Sequence, residues 1–192
     1  MATLMIDRFL AAAPAEGRAA YEKRWRSIIH EQADFIWRAL RRLGVLEADL
    51  ADAAQQVFLV MARKLSHVKP GAERSFLFQT AFRVASDSRR TRRRQREVPD
   101  DLLALQMDER PRPDQDLEAR LRRAQLDRIL DPMPMELRAV FVLSELEEMT
   151  MAEIAAMTGT RPGTVASRLR RARTAFGEQV ARLHEKERRA GS

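Results

Sequence analysis

Apolar positions recur at helical spacing along nearly the whole chain, and no stretch alternates as a half-buried strand would. Trp25, Ile29, Ala33, Ile36, Leu40 and Leu43 fall on one stripe, ended by Gly44. A second helix is predicted from near Asp49, with Leu50, Ala54, Val57, Met61 and Leu65 inward. Ser66 to Glu73 reads as a loop, punctuated by Pro70-Gly71. A third helix from about Ser75 carries Phe76, Leu77, Phe78, Ala81, Phe82 and Ala85 and then enters a run of arginines. These three helices can share one core. Helix resumes near Leu117, with Leu121, Ala124, Leu126, Ile129 and Leu130, and breaks at Asp131-Pro132-Met133-Pro134. Leu137, Val140, Phe141 and Ser144 mark the next helix. The segment between the two halves, about Val98 to Asp116, contains Pro99, Pro111 and Pro113 among many acids. Too few of its residues can be buried to offset the entropy of ordering them, apart from a short helical turn around Leu102 to Met107. The predicted fold is all-α: a helical domain over 1–97, an acidic linker over 98–116 and a four-helix domain over 117–192. The charged tail is expected to fray after about Leu183.

Thr150 to Arg171 has the pattern of a helix-turn-helix. Thr150 and Glu153 stand at capping-box spacing, so two amide donors at a helix start can be satisfied reciprocally. Ile154 and the small Ala155 face inward, and Gly159 suits the left-handed turn that would clash with a Cβ. Thr160 is placed to cap the next helix, with Pro162 in its first turn, where a missing N–H costs little. Val165 and Leu169 would face the first helix. That leaves Thr164, Ser167, Arg168, Arg170 and Arg171 outward or sideways, with Arg173 continuing the positive charge. A helix presenting hydroxyls and guanidinia is what a major groove accepts. The alternative, an ordinary helical hairpin with a solvated basic face, leaves the agreement of cap, glycine, proline and basic helix unexplained.

Charge sharpens this picture through its distribution. The 192 residues carry 35 Lys and Arg against 28 Asp and Glu, a formal net charge of +7. From Arg83 to Arg96 there are seven arginines and one acid, Asp87; from Glu97 to Glu118 there are eight acids and two arginines. From Arg161 the balance turns basic again. Two basic lobes with an acidic bridge point to two polyanion contacts and a connector that avoids them. The acids could also lie against the arginine tract and draw the lobes together in a weak, salt-sensitive closed state. Phe76, Phe78 and Phe82 adjoin the tract; Phe78 and Phe82 read as core, whereas Phe76 starts the helix and could stack an unpaired base. The tract arginines, Arg89, Arg90, Arg92, Arg93, Arg94 and Arg96, cannot all be buried, so solvent or phosphate must take them. Asp52, Gln55 and Gln56 form a polar face opposite the apolar stripe of the second helix.

Other chemistries find no support. There is no cysteine, hence no disulfide or thiolate metal site, which fits a reducing cytoplasm. Val57 to Ala62, the longest strongly apolar run, is far too short to span a membrane, and no apolar stretch follows a basic start as in a signal peptide. His30, His67 and His184 are scattered without metal-ligand spacing, Ser144 and Ser167 lack an evident base, and no glycine-rich phosphate loop occurs. Neither a catalytic residue, a metal, a cofactor nor a small-molecule substrate is expected.

Four segments resemble the extracytoplasmic-function (ECF) sigma factors, the small two-domain members of the bacterial sigma-70 family. Asp52-Ala53-Ala54-Gln55-Gln56-Val57-Phe58-Leu59 is similar to their acid-x-x-Gln-(Glu/Gln)-x-Phe signature. Phe76-Leu77-Phe78-x-x-Ala81, with Asp87 and Arg90, resembles their next helix. Leu130-x-x-Met133-Pro134-x-x-x-Arg138-x-Val140-Phe141 resembles the opening of their C-terminal domain, and Gly163 to Arg173 their recognition helix. The resemblance spans about Tyr21 to Leu183. It implies that Asp52, Gln55 and Gln56 dock on the β′ clamp helices of core RNA polymerase. Phe76, Arg83, Arg89, Arg90, Arg93 and Arg94 would hold the melted −10 promoter element, and Thr164, Ser167, Arg168, Arg170 and Arg171 would read the −35 element. It further implies an acidic linker running near the polymerase active centre, a cytoplasmic location and an anti-sigma protein as a partner. Phe76 stands where tryptophan is frequent, Arg83 where asparagine is, Ser144 where an arginine often assists, and Ala166 where a basic residue is common, so promoter sequence does not transfer. A free-standing helix-turn-helix repressor acting without polymerase is the alternative; such proteins usually dimerise over paired half-sites, and no dimerisation element is evident. An RNA-processing enzyme with a basic groove lacks its acid–base or metal groups.

Overall fold

The structure, a computed structural model, describes residues 18–97 and 117–190. The acidic connector, with the turn expected at Leu102 to Met107, lies outside the described residues. Among those described there are seven α-helices and no strand. They are α1 (Arg18–Arg42), α2 (Leu50–Lys64), α3 (Glu73–Glu97), α4 (Leu117–Leu130), α5 (Met135–Phe141), α6 (Met151–Thr158) and α7 (Pro162–Ala190).

The first three helices pack pairwise around Trp25, Ile36, Leu40, Leu50, Val57, Met61, Leu77 and Phe78. The inward set of α2 is the one its period dictates. On α1 the buried stripe is wider than the spacing of Trp25, Ile36 and Leu40 suggests, because α2 and α3 both lie on this helix: Ile28 and Phe35 are buried, Ile29 and Ala33 half-buried. Gly44 ends the helix at φ +99°, a left-handed conformation that costs a glycine little. Its position is crowded as well, since a Cβ there would lie 2.8 Å from Arg89 Nη1. The loop predicted from Ser66 to Glu73 is shorter, because a 3-10 turn covers Leu65–His67 and α3 starts at Glu73. Arg24 closes this corner. It donates to the carbonyls of Leu65 and Val68 and pairs with Glu73 at 2.8 Å, and so supplies donors that the outgoing turn lacks.

In the C-terminal half, α7 is the spine on which α4, α5 and α6 pack. Leu130, Met133, Leu137, Phe141, Val142 and Ala172 form one cluster, with the Phe141 and Phe176 rings stacked 4.8 Å apart. A π-helical turn over Val142–Leu146 ends α5 and brings the chain through Glu148, at φ +53°, to the cap of α6. The tail does not fray at Leu183; α7 stays helical to Ala190, helped by helix-favouring Glu, Lys and Arg and by an i,i+4 Arg189–Glu185 pair.

The three N-terminal helices share one core, and Ala139, Val140, Leu143, Ile154, Ala155, Met157, Val165 and Leu169 of the C-terminal half belong to the same apolar cluster. The contact runs chiefly between α3 and α6.

Candidate nucleic-acid interface

The helix-turn-helix forms as its caps dictate. Thr150 Oγ1 accepts from the Glu153 amide at 3.3 Å, and Glu153 Oε2 accepts from the Thr150 amide at 2.7 Å. The Thr150 hydroxyl also donates to Glu153 Oε2 at 2.7 Å, and this bond, with the one from the Thr150 amide, holds the Glu153 carboxyl below its ordinary range. Gly159 takes φ +66° and donates to Ala155, ending α6. The cap of α7 differs from expectation. Because Pro162 is the first helical residue, Arg161 occupies the cap position and its carbonyl accepts from Thr164 and Val165. Thr160 is one residue too early, and its hydroxyl pairs with that of Thr158 at 2.8 Å.

Val165, Leu169 and Ala172 are buried at helical spacing, which fixes the rotation of α7. Arg170 and Arg171 are exposed; Thr164, Ser167 and Arg168 are half-buried, and Ser167 Oγ donates to the Thr164 carbonyl at 3.0 Å. Arg173 pairs with Glu145 at 2.8 Å. Arg168 turns toward α3 and lines a groove of about 240 Å³ with Arg83, floored by Phe78, Phe82 and Val140.

On α3, burial of Leu77, Phe78, Ala81 and Ala85 leaves Arg83, Arg90, Arg93 and Arg94 exposed. Phe76 is half-buried against the core, so its ring is partly committed to packing. Asp52 and Gln56 are exposed on α2 and Gln55 is half-buried. The structure thus brings Arg83 and Arg168 together in one groove, whose lining includes none of Asp52, Gln55 and Gln56.

Arg89 and Arg92 depart from the rest of their tract. Arg89 Nη2 donates to the Asp131 carbonyl at 2.7 Å, and Arg92 Nη2 donates to Asp131 Oδ1 at 3.1 Å. Arg138 is buried, 1% exposed, and donates through Nε to the Arg42 carbonyl. Its Nη1 and that of Arg89 have no hydrogen-bond partner within the protein, and each lies at the edge of ion-pair range of Asp131, at 4.0 and 3.8 Å. Burial, and then the like charge of Arg89, brings the Arg138 guanidinium down to about 10. Burial pulls Arg89 down too, against the attraction of Asp131, and pushes the Asp127 carboxyl up against the pull of Arg41 and Arg138.

Two further contacts bind the halves together. Arg38 and Arg42 both pair with Glu147, whose side chain is 7% exposed. Ser75 Oγ donates to the Ala156 carbonyl at 3.0 Å and Gln79 Nε2 to that of Met157 at 3.3 Å, so α3 satisfies carbonyls left over at the end of α6. Sequence reasoning missed Asp131, Glu147, Arg38, Arg42 and Arg138, all of whose partners lie far away in the chain.

Comparison with known proteins decides what carries this arrangement. Residues 123–176 match the family described as "Sigma-70, region 4". "ECF RNA polymerase sigma factor SigE" of Mycolicibacterium smegmatis is 30% identical over 170 residues, covering 88% of this chain and 66% of that one. The chain belongs to the ECF sigma factors. "RNA polymerase sigma factor CnrH" of Cupriavidus metallidurans is 27% identical over 175 residues, covering 87% of this chain and 90% of that one. This ECF sigma factor therefore spans about two thirds of the first relative's length and nine-tenths of the second's. Its fold is shared with two solved structures. CnrH in complex with the cytosolic domain of CnrY matches with a TM-score of 0.61 at 20% identity, over 93% of this chain and 96% of that one. The sigma factor RpoE in complex with the anti-sigma factor NepR, from Bartonella quintana, matches with a TM-score of 0.61 at 18% identity, over 83% and 98%. Among the described residues no helix is long and apolar enough to cross a membrane, and no metal-binding cluster occurs.

Proposed function

We propose that this chain is a dissociable sigma subunit that joins core RNA polymerase, recognises −35 and −10 promoter elements and directs transcription initiation, acting in the cytoplasm and not as an enzyme. The observation that carries this reading is the capped helix-turn-helix with exposed Arg170 and Arg171, lying within the stretch that matches sigma-70 region 4. In this reading Thr164, Ser167, Arg168, Arg170 and Arg171 face the −35 element, with Arg168 turning outward when the halves separate. Phe76, Arg83, Arg89, Arg90, Arg93 and Arg94 hold the −10 element, in which a half-buried Phe76 still offers an edge for stacking. Asp52, Gln55 and Gln56 dock on the β′ clamp helices. The domain division at 1–97, 98–116 and 117–192 serves the same purpose, since two promoter elements are read by two lobes on a tether. An anti-sigma protein is a further expected partner, because the structurally similar RpoE of Bartonella quintana is found in complex with the anti-sigma factor NepR.

A free-standing repressor has less to support it, because the polar face of Asp52, Gln55 and Gln56 is left without a use. The deciding experiment mixes the purified protein with core polymerase and a promoter library and sequences the transcripts. A sigma subunit yields starts at defined distances from shared −35 and −10 motifs; core polymerase that initiates no better with the protein than without it refutes the proposal. Replacing Gln55 and Gln56 by alanine should then weaken core binding while the thermal midpoint stays nearly constant. Unchanged core binding would remove those two residues from the docking face.

A further inference from the structure

Two arginines of the tract do not face solvent as their neighbours do. Arg89 and Arg92 reach from α3 to the break between α4 and α5, where Asp131 sits. Arg92 Nη1 adds a long contact to the Gly44 carbonyl at 3.4 Å, and Arg89 Nη2 one to Met133 at 3.4 Å. One carboxylate and three carbonyls thus occupy guanidinium donors whose planar fork suits a phosphodiester equally well. Asp131 keeps 45% of its side chain exposed, so the carboxylate that a competing anion must displace is open to solvent. The closed arrangement also carries its own opposing force: Arg89 and Arg138 are like charges packed together, each with an Nη1 that has no hydrogen-bond partner within the protein.

We propose that Asp131 is an internal surrogate for a DNA phosphate, holding Arg89 and Arg92 while the two halves are closed, so that the promoter backbone must displace it. This rests on the reading that these arginines contact DNA. Lobe opening and DNA binding are then one coupled equilibrium: whatever frees the two arginines favours DNA, and DNA favours separation of the halves by the same factor. The device differs from a brake made by the acidic connector, because it places the competing anion in a defined position on the C-terminal half.

The protein contains no cysteine, so Ala51→Cys and Ala181→Cys, both at exposed positions, allow specific labelling for energy transfer between the halves. A promoter duplex is titrated into the labelled full chain at fixed salt. Energy transfer should fall as DNA binds, and Asp131→Asn should start from lower transfer and bind DNA about fivefold more tightly, the upper end of what a half-exposed ion pair contributes. Asp34→Asn, an equal charge change at an exposed site on α1, should shift affinity far less. Equal tightening by both variants would reduce the effect to net charge and overturn the proposal. So would DNA binding with constant transfer in the unsubstituted protein, a result that needs no variant to fold. Replacing Arg89 and Arg92 together by alanine separates the two levels of argument. If DNA binding survives that change, the assignment of these arginines to DNA is what fails; if it is lost while Asp131→Asn has no effect, only the surrogate role fails.

Discussion

Replacing Arg138 tests whether the closed arrangement carries a built-in cost. A guanidinium brought down from its ordinary range to about 10 has its charged form disfavoured by about 3 kcal/mol relative to water. The causes are burial first and the charge of Arg89 second, offset in part by Asp127 and Asp131. At 1% exposure solvent screens little of this. On the other side stands one hydrogen bond from a charged donor, Nε to the Arg42 carbonyl, worth about 2 kcal/mol once the stranded acceptor is counted. Methionine keeps most of the stem volume and carries no charge, so Arg138→Met should leave the closed protein about 1 kcal/mol more stable, as replacement of buried ionic groups by packed apolar ones often does. Arg138→Ala loses the stem packing as well and should cost about 2 kcal/mol. Urea unfolding followed by circular dichroism measures both, with an unchanged slope showing that the end states are the same. A loss of more than about 2 kcal/mol for Arg138→Met at constant slope would refute the reasoning, because the guanidinium would then be a net stabiliser of the seam. The same variant should bind promoter DNA more weakly than the unsubstituted protein, since it favours the closed form.

Three other outcomes follow from the geometry. Thr150→Ala removes the capping hydroxyl of α6 and should cost about 1 kcal/mol in urea unfolding, with faster amide exchange confined to the first turn of that helix; protection unchanged there would mean that packing alone holds it. Burial tends to raise the Glu73 carboxyl, but hydrogen bonds from the backbone and from Arg24 outweigh it and the net shift is downward. Its stabilisation is therefore complete above the ordinary carboxylate range and lost as pH falls through the depressed folded value. Glu73→Gln should flatten the acid limb of a plot of thermal midpoint against pH, and an acid limb identical to that of the parent would assign the loss to other carboxylates. Arg171→Ala should weaken holoenzyme binding to −35-containing DNA by about 1–3 kcal/mol, measured by anisotropy; equal weakening on a scrambled −35 element would make it a phosphate contact only.

The local features were readable because each depends on residues three or four apart. Thr150 and Glu153 announce their own cap, Gly159 its own left-handed turn, and Leu50, Ala54, Val57, Met61 and Leu65 their own face of α2. Thr160 shows how fine the limit is. A cap is set by which residue begins the helix, and Pro162 at the first position assigns the cap to Arg161. The stripe of α1 was read too narrowly, because its width is set by how many helices lie on it, which periodicity does not encode. The polar seam was not readable at all. Asp131 meets Arg92 across 39 positions and Arg42 meets Glu147 across 105, and no local spacing relates such pairs. The arginines looked alike in the sequence, while the fold sends Arg89 and Arg92 inward and leaves Arg90 and Arg94 to solvent.

The shared core constrains how the two reading surfaces can be used together. Ile154, Ala155 and Met157 of α6 bury their side chains in the cluster that contains Phe78 and Ala81 of α3. Separating the halves returns that apolar surface to water, which is unfavourable in proportion to the area exposed. A DNA phosphate can replace Asp131 on Arg89 and Arg92, but it offers nothing apolar to cover α3 and α6. A ligand shifts such an equilibrium only by its difference in affinity for the two states. DNA alone therefore favours opening only by what it gains on the polar part of the seam, and a partner that also covers the apolar part adds to that shift. If core polymerase docks on α2 through Asp52, Gln55 and Gln56, as proposed above, it leaves Arg89 and Arg92 to DNA. A protein that instead gripped both halves across the groove between Arg83 and Arg168 would pull the same equilibrium the other way.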